Sequence, residues 1–289
     1  MAHHPAPAAY PLRAVLHPTD FSAASDLAFA HALRIALAAR AQFDILHVEP
    51  ADPRDVDWTG FPGVRATLAE WGLLAADSPP EAVAERLGVR IRKVDLVDRD
   101  PVRGIVRFAE EHPVDLIVLA THGREGLPRW LHGSVAEPVV RRTHAPTLLL
   151  PHGARGFVEP ETGRVRLSRM LVPIDHEPRP GRAVERAWRL ARTLGAAAEG
   201  LRLTLLHVGD AAAAPRVHPP AEATGHVETL ARHGDDVVGA IVDAAAELDA
   251  DLVVMATRGH RGLLDTLRGS TTEQVLRRVS RPVLAVPVG

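Results

Sequence analysis

Apolar and polar positions along this chain switch repeatedly between a period of two and a helical period, and the switches set out an element order. Residues 13–20, RAVLHPTD, form a short apolar run that ends in turn formers, which predicts a first strand. Residues 22–41 carry apolar side chains at helical spacing, with Ser22 or Asp20 as N-cap. FDILHVEP (43–50) predicts a second strand, and a polar stretch follows with a helix broken by Ser78-Pro79-Pro80. VRIRKVDLV (89–97) alternates as a strand does, and Asp100-Pro101 opens a helix over 101–112. DLIVLAT (115–121) is an unbroken apolar run, as a parallel strand covered on both faces requires. A helix near 133–143 and the strand TLLLP (147–151) close this half.

The second half repeats the order. RMLVPID (169–175) aligns with AVLHPTD, so Pro173 faces Pro18 and Asp175 faces Asp20. TLLHV (204–208) aligns with DILHV (44–48), and DDVVGAIV (235–242) with RDPVRGIV (99–106). Between Val48 and Asp100 lie 51 residues, and between Val208 and Asp236 only 27. The second helix is therefore expected to be shortened or lost there, with 209–224 as a loop. Alternating βαβ units predict parallel sheets with right-handed crossovers. Ligands of such sheets bind beyond the carboxyl ends of strands where the strand order reverses. That places Asp20 and the segment 120–134 on one crevice, and Asp175 and 256–270 on another.

The strongest internal match is longer. Residues 114–151 and 250–287 align without a gap, and 18 of 38 positions are identical. Each copy has a small residue, two residues, Gly, nine residues and Gly-Ser: Ala120, Gly123, Gly133 and Ser134, then Ala256, Gly259, Gly269 and Ser270. Glycine allows close backbone approach at a strand exit. The first N–H groups of the following helix have no intrahelical partner and favour an anion. A seryl hydroxyl adds a donor, so phosphate held in this way needs no lysine.

Composition narrows the chemistry. The chain has 289 residues and no cysteine, which excludes disulfides, thiol nucleophiles and Cys-ligated zinc. The repeat divides it into two domains, 11–151 and 165–289. A net charge of −2 gives no basic footprint for nucleic acid. No apolar run reaches the roughly 20 residues of a membrane span, and the start MAHHPAPAAYPLR reads as a short disordered tail without a signal core, so a cytoplasmic location is expected. Lys93 is the only lysine beside 33 arginines, and no Gly-Lys-Ser/Thr of a Walker A loop occurs. The 16 histidines are dispersed, without HExxH, and suggest no metal site.

With PTDFS, LHV, ATHG and HGSV in place, the chain resembles a tandem universal stress protein, and the resemblance covers nearly its whole length. It implies two Rossmann-like, adenine nucleotide alpha hydrolase-like domains, each an open five-stranded parallel sheet flanked by helices and related by pseudo-twofold symmetry. It implies that ATP, or AMP or ADP, binds with its phosphates and ribose on the loop and its adenine near the β1 and β2 ends, with Mg2+ as a companion ion. Residue by residue, this carries over to Thr19, Asp20, Val48, Ala120, His122, Gly123, Arg124, Gly133, Ser134 and Val135. In the second half it carries over to Asp175, Val208, Ala256, Arg258, Gly259, Gly269, Ser270 and Thr271. The motif's first glycine is alanine in both halves, a methyl that is tolerated if φ is negative. The apolar strands 147–151 and 282–287 are expected to pair across the halves, making the chain an intramolecular pseudo-dimer or part of a homo-oligomer.

Each of these residues has a plainer reading. Gly123, Gly133 and Ser134 also fit an ordinary strand–turn–helix, and Asp20 and Asp175 also fit helix caps. Val48 and Val208 are also ordinary strand ends. A stress-response regulator that binds ATP, with at most slow hydrolysis, is the leading function. A nucleotide-free scaffold acting through protein partners is the alternative. An ATP-cleaving enzyme of the PP-loop class is disfavoured, because Asp20-Phe21-Ser22-Ala23-Ala24-Ser25 lacks its Ser-Gly-Gly-x-Asp-Ser. No second carboxylate stands where an acid–base pair would need it.

Overall fold

The computed structural model describes residues 12–50, 58–121, 135–258 and 270–288. The first half runs β1 (Ala14–Thr19), α1 (Ala23–Ala39), β2 (Gln42–Glu49), α2 (Val64–Glu70), α3 (Ala82–Leu87), β3 (Arg90–Val97), α4 (Pro101–Glu111), β4 (Leu116–Thr121), α5 (Ala136–Arg142) and β5 (Thr147–Pro151). The second runs β6 (Arg169–Pro173), α6 (Gly181–Thr193), β7 (Arg202–Val208), β8 (Val227–Arg232), α7 (Val237–Glu247), β9 (Leu252–Arg258), α8 (Thr271–Arg278) and β10 (Val283–Val288).

Local chemistry fixes the element starts. Asp100 accepts from the Val102 N–H while Pro101 takes the first helical position, so α4 begins there. Asp236, its counterpart, accepts from the Gly239 N–H and starts α7. β1 is buried along its whole length, including the polar His17 and Thr19.

All ten strands form one sheet, in the order β3-β2-β1-β4-β5-β10-β9-β6-β7-β8. Pairing is parallel within each half. At the seam β5 and β10 run antiparallel, with Leu149 opposite Val283, Leu148 opposite Leu284 and Thr147 opposite Ala285. The second half thus mirrors the first outward from the seam. Helices α1, α2, α3 and α6 cover one face, over a core that includes Val15, Phe29, Leu33, Phe43, Ile45 and Trp188. On the other face α4 and α5 cover Leu16, Leu46 and Ile117, and α7 and α8 cover Leu171, Val253 and Val283. No helix among the described residues is long and apolar enough to cross a membrane.

Two features depart from the sequence expectation. Residues 209–226 hold two short 3-10 turns, Ala211–Ala213 and Ala221–His226, and then the strand β8, which hydrophobic patterning did not reveal. β8 is an edge strand, VETLAR, with no fully buried position. It joins β7 by backbone pairing from Leu203–Val227 to Val208–Arg232, and so needs few apolar side chains. The connection 152–168 also docks closely. His31 of α1, fully buried, receives the Phe157 and Val158 N–H groups on Nε2 at 3.0 and 3.1 Å, and its Nδ1 donates to the Leu27 carbonyl at 2.8 Å. The Trp71 indole donates to the Pro160 carbonyl at 2.7 Å.

Candidate functional site at the carboxyl ends of β1 and β4

The strand order reverses between β1 and β4, and again between β6 and β9. At both places the ladder is short. β1 joins β4 through Val15–Leu116 and Leu16–Ile117, and β6 joins β9 through Met170–Leu252 and Leu171–Val253. Pro18 and Pro173 stand just beyond and carry no N–H to extend the pairing. In the first half the imidazole of His17 fills in, its Nδ1 donating to the Val118 carbonyl at 3.0 Å. Burial lowers the pKa of His17 to about 4, against the pull of that carbonyl and of Asp20. The ring is therefore neutral, and its Nε2 has no partner among the described residues. The second half has Val172 at this place. In each half the ladder at the switch point thus stops short of the same proline.

Asp20 follows β1 directly. Its Oδ1 accepts from the Ser22 N–H at 3.1 Å, the Ser22 hydroxyl at 2.6 Å and the Ser25 hydroxyl at 2.8 Å, so it ties down the start of α1. Asp175 does not do this for α6. Its Oδ1 accepts from the His176 N–H at 2.7 Å, and α6 starts later, after Pro180, without a side-chain cap. Neither aspartate is the cap of its helix: Ser22 holds the N-cap position of α1 and Pro180 that of α6, and neither helix has a side-chain cap hydrogen bond.

Between Asp20 and α1, Phe21 adopts φ 60°, and Thr19 Oγ1 accepts its N–H at 3.1 Å. The Phe21 ring stacks on His47, with centroids 4.2 Å apart and planes 22° apart. The Nδ1 of His47 donates to the Thr19 carbonyl at 2.9 Å, and its Nε2 meets Glu49 at 2.7 Å. In the second half His207 Nδ1 lies 3.4 Å from the Ile174 carbonyl.

The remaining candidates lie on several elements of the two halves. Ala120 and Ala256 lie inside β4 and β9, opposite Leu150 and Val286, and neither is among the residues of positive φ. The methyls are therefore unstrained where they stand. Val48, one residue before the end of β2, has its side chain against Gly104 of α4, where an added Cβ would come within 2.9 Å of Val48 Cγ1. Val208 belongs to the layer under α7. Val135 precedes α5 and is half-buried, and Arg258 ends β9 exposed. Ser270 Oγ accepts from the Glu273 N–H at 3.2 Å, capping α8, and Thr271 follows it exposed. His122, Gly123, Arg124, Gly133, Ser134, Gly259 and Gly269 lie outside the described residues.

Comparison with known proteins decides the family. The sequence profile of the universal stress protein family matches residues 11–151 and again 167–287. The chain belongs to the universal stress protein family. Two universal stress protein domains lie in it. Universal stress protein MJ0531 of Methanocaldococcus jannaschii is 34% identical over 142 residues, which is 47% of this chain and 80% of that protein. A crystal structure of a universal stress protein from Archaeoglobus fulgidus covers 96% of this chain and 96% of its own, with a TM-score of 0.61 at 21% identity. A putative universal stress protein from Pseudomonas aeruginosa covers 96% of this chain and 93% of its own, with a TM-score of 0.60 at 17% identity. Both share the fold along the whole tandem universal stress protein. Sequence reading did not single out His17 or Phe21. Their signal was present in LHPTDF, a polar residue inside a buried strand and an aromatic one after it.

Proposed function

We propose that this tandem universal stress protein binds an adenine nucleotide, ATP or its relatives ADP and AMP, in the crevice between the carboxyl ends of β1 and β4. Each half, 11–151 and 165–289, has such a crevice, and the protein acts as a nucleotide-responsive regulator in stress physiology. The observation that supports this most is the proline-terminated ladder at the strand-order reversal, repeated in both halves. A parallel sheet opens a ligand crevice at such a place. The extended backbone at Ala120 and Ala256 is a second support, because the alanines impose no strain there. The spaced motif that follows is the family's phosphate-holding pattern, and Mg2+ would accompany a polyphosphate on it.

A second reading, a scaffold that acts through protein partners, draws on the second half. No α-helix stands between β7 and β8 among the described residues, where the first half has α2 and α3. Mass spectrometry of small molecules released from the purified protein, with calorimetric titration of ATP, ADP and AMP, separates the readings. A co-purified adenine nucleotide, or saturable heat at micromolar to low millimolar ligand, supports the nucleotide reading. An empty protein without heat at millimolar ATP leaves the scaffold.

A further inference from the structure

Lys93 stands in the middle of β3, an outermost strand of the sheet, and is exposed. As the only lysine, it carries the chain's one side-chain amine. Its surroundings differ from those of a solvated surface lysine. The ammonium lies 4.6 Å from the centre of the Trp58 ring and 5.7 Å from that of Phe61. Among the described residues no oxygen reaches it as a hydrogen-bond or ion-pair partner. Asp95, two residues along the strand, instead accepts the Trp58 indole N–H on both oxygens, at 3.1 and 3.3 Å. Trp58 is thus held on β3 twice, its N–H by Asp95 and its ring by Lys93.

The two rings differ in how far they depend on this contact. Phe61 is buried and meets Phe29 of α1 edge-on, with centroids 4.9 Å apart, so the core holds it whatever Lys93 does. Trp58 is only half-buried. Partial burial lowers the pKa of Lys93 below the ordinary lysine value, against the pull of Asp95, which enlarges the share of neutral amine.

The second half has no counterpart. Lys93 lies opposite Ile45 in the β2–β3 ladder, and Thr229 lies opposite Leu205 in the β7–β8 ladder. Ile45 and Leu205 occupy the same place in the repeat, so Thr229, which has neither amine nor charge, stands where Lys93 does.

The attraction between an ammonium and a ring face requires the positive charge, and acylation removes that charge. We propose that Lys93 is a site of covalent acylation by activated acyl groups, an acyl phosphate or an acyl thioester, and that the modification frees Trp58 from β3. The neutral ε-amine attacks the acyl carbon and forms a C–N bond. The bond from that carbon to the phosphate oxygen or to the sulfur breaks, and phosphate or thiolate leaves. One proton passes from the nitrogen to the leaving group or to water, and a neutral amide remains. The amide offers the Trp58 ring no cation, while Phe61 and α2 stay in the core. The first half thereby carries a mark of acyl-donor supply that the second half cannot carry, and this holds whether or not a nucleotide binds.

Two measurements on the full chain test it. In the first, the protein is incubated with acetyl phosphate, and separately with acetyl-coenzyme A, beside Nα-acetyl-lysinamide as a reference amine, and the products are mapped by mass spectrometry. Lys93 is expected to be acetylated at least as fast as the reference by one donor or both, and the donor that reacts identifies the source. Slower acetylation than the reference with both donors would overturn the assignment. In the second, acrylamide quenching of tryptophan fluorescence reads the release. Acetylated wild type and Lys93→Gln are expected to raise the undocked population of Trp58 by about two- to fivefold, the worth of an exposed cation–π contact. Trp58→Phe is expected to abolish the difference, and Lys93→Arg, which keeps a cation, to match wild type. No change on acetylation, or an equal change in Lys93→Arg, would overturn the inference.

Discussion

Replacing His31 with leucine removes a side chain that hydrogen-bonds the inter-half connection to α1. Leucine fills similar space but accepts no hydrogen bond, so the Phe157 and Val158 N–H groups lose their acceptor in a buried place. Each unsatisfied buried group costs about 1–3 kcal/mol. The two together should lower unfolding free energy by about 2–5 kcal/mol at pH 7, since some relaxation toward water is open to them. Urea denaturation followed by circular dichroism measures it.

The pH dependence of wild type gives a second handle on the same contact. Burial lowers the pKa of His31 from 6.5 to about 4. The unfolded chain therefore takes up this proton first as pH falls. The contribution of His31 is present in full above pH 6.5 and is lost as pH drops through about 4. The loss amounts to about 3 kcal/mol over that window. His17, lowered to about 4 in the same way, adds a similar amount. The leucine variant keeps only the His17 share, so its stability should fall less steeply between pH 6.5 and 4. A loss below about 1 kcal/mol at pH 7, or a pH slope equal to that of wild type, would refute the reasoning.

Three further outcomes follow from named contacts. Gly163→Ala should cost about 1–3 kcal/mol more than Gly153→Ala in urea unfolding. Both glycines have positive φ, but only at Gly163 would a Cβ strike a neighbour, 2.4 Å from Trp71 Cδ2. Asp251→Ala should destabilise the second half by about 2–4 kcal/mol, because Oδ2 accepts from the Ser168 N–H and hydroxyl and from the Arg169 N–H. Limited proteolysis followed by mass mapping should place the new cleavage near 152–168. The third outcome concerns Glu137, whose pKa is raised by burial first and then by its hydrogen bond to Glu273, against Arg141 and Arg277. A raised acid favours folding while protonated, and that favour is lost as pH rises through its folded value. Glu137→Gln imitates the protonated form, so it should raise the melting temperature at pH 7–8 and make little difference near pH 4. A lower melting temperature at pH 8 would contradict the shared-proton contact.

Much of this architecture was legible in the chain itself. Asp100-Pro101 and Asp236 announced two helix starts, and the apolar run at 115–121 with its copy in the repeat 250–287 announced two strands. TLLLP and its partner strand were apolar at a sheet edge that had to be covered, and they pair at the seam. What stayed hidden has physical reasons. β8 is held by backbone bonds to β7, so its side chains needed no pattern. The docking of 152–168 depends on His31 and Trp71, which lie far away in sequence and whose polar atoms leave no periodic trace. Phe21 is an ordinary letter in PTDFS until its positive φ brings its ring onto His47. The alanines at 120 and 256 looked like defects in a glycine motif. They proved to be strand residues with extended backbone.

A crystal structure of the full chain grown with ATP tests the central claim most directly. The account predicts density for adenosine at the carboxyl ends of β1 and β4, with the phosphates directed toward the segment after β4. Density in neither crevice at saturating ATP, or nucleotide bound on another face of the sheet, would contradict it.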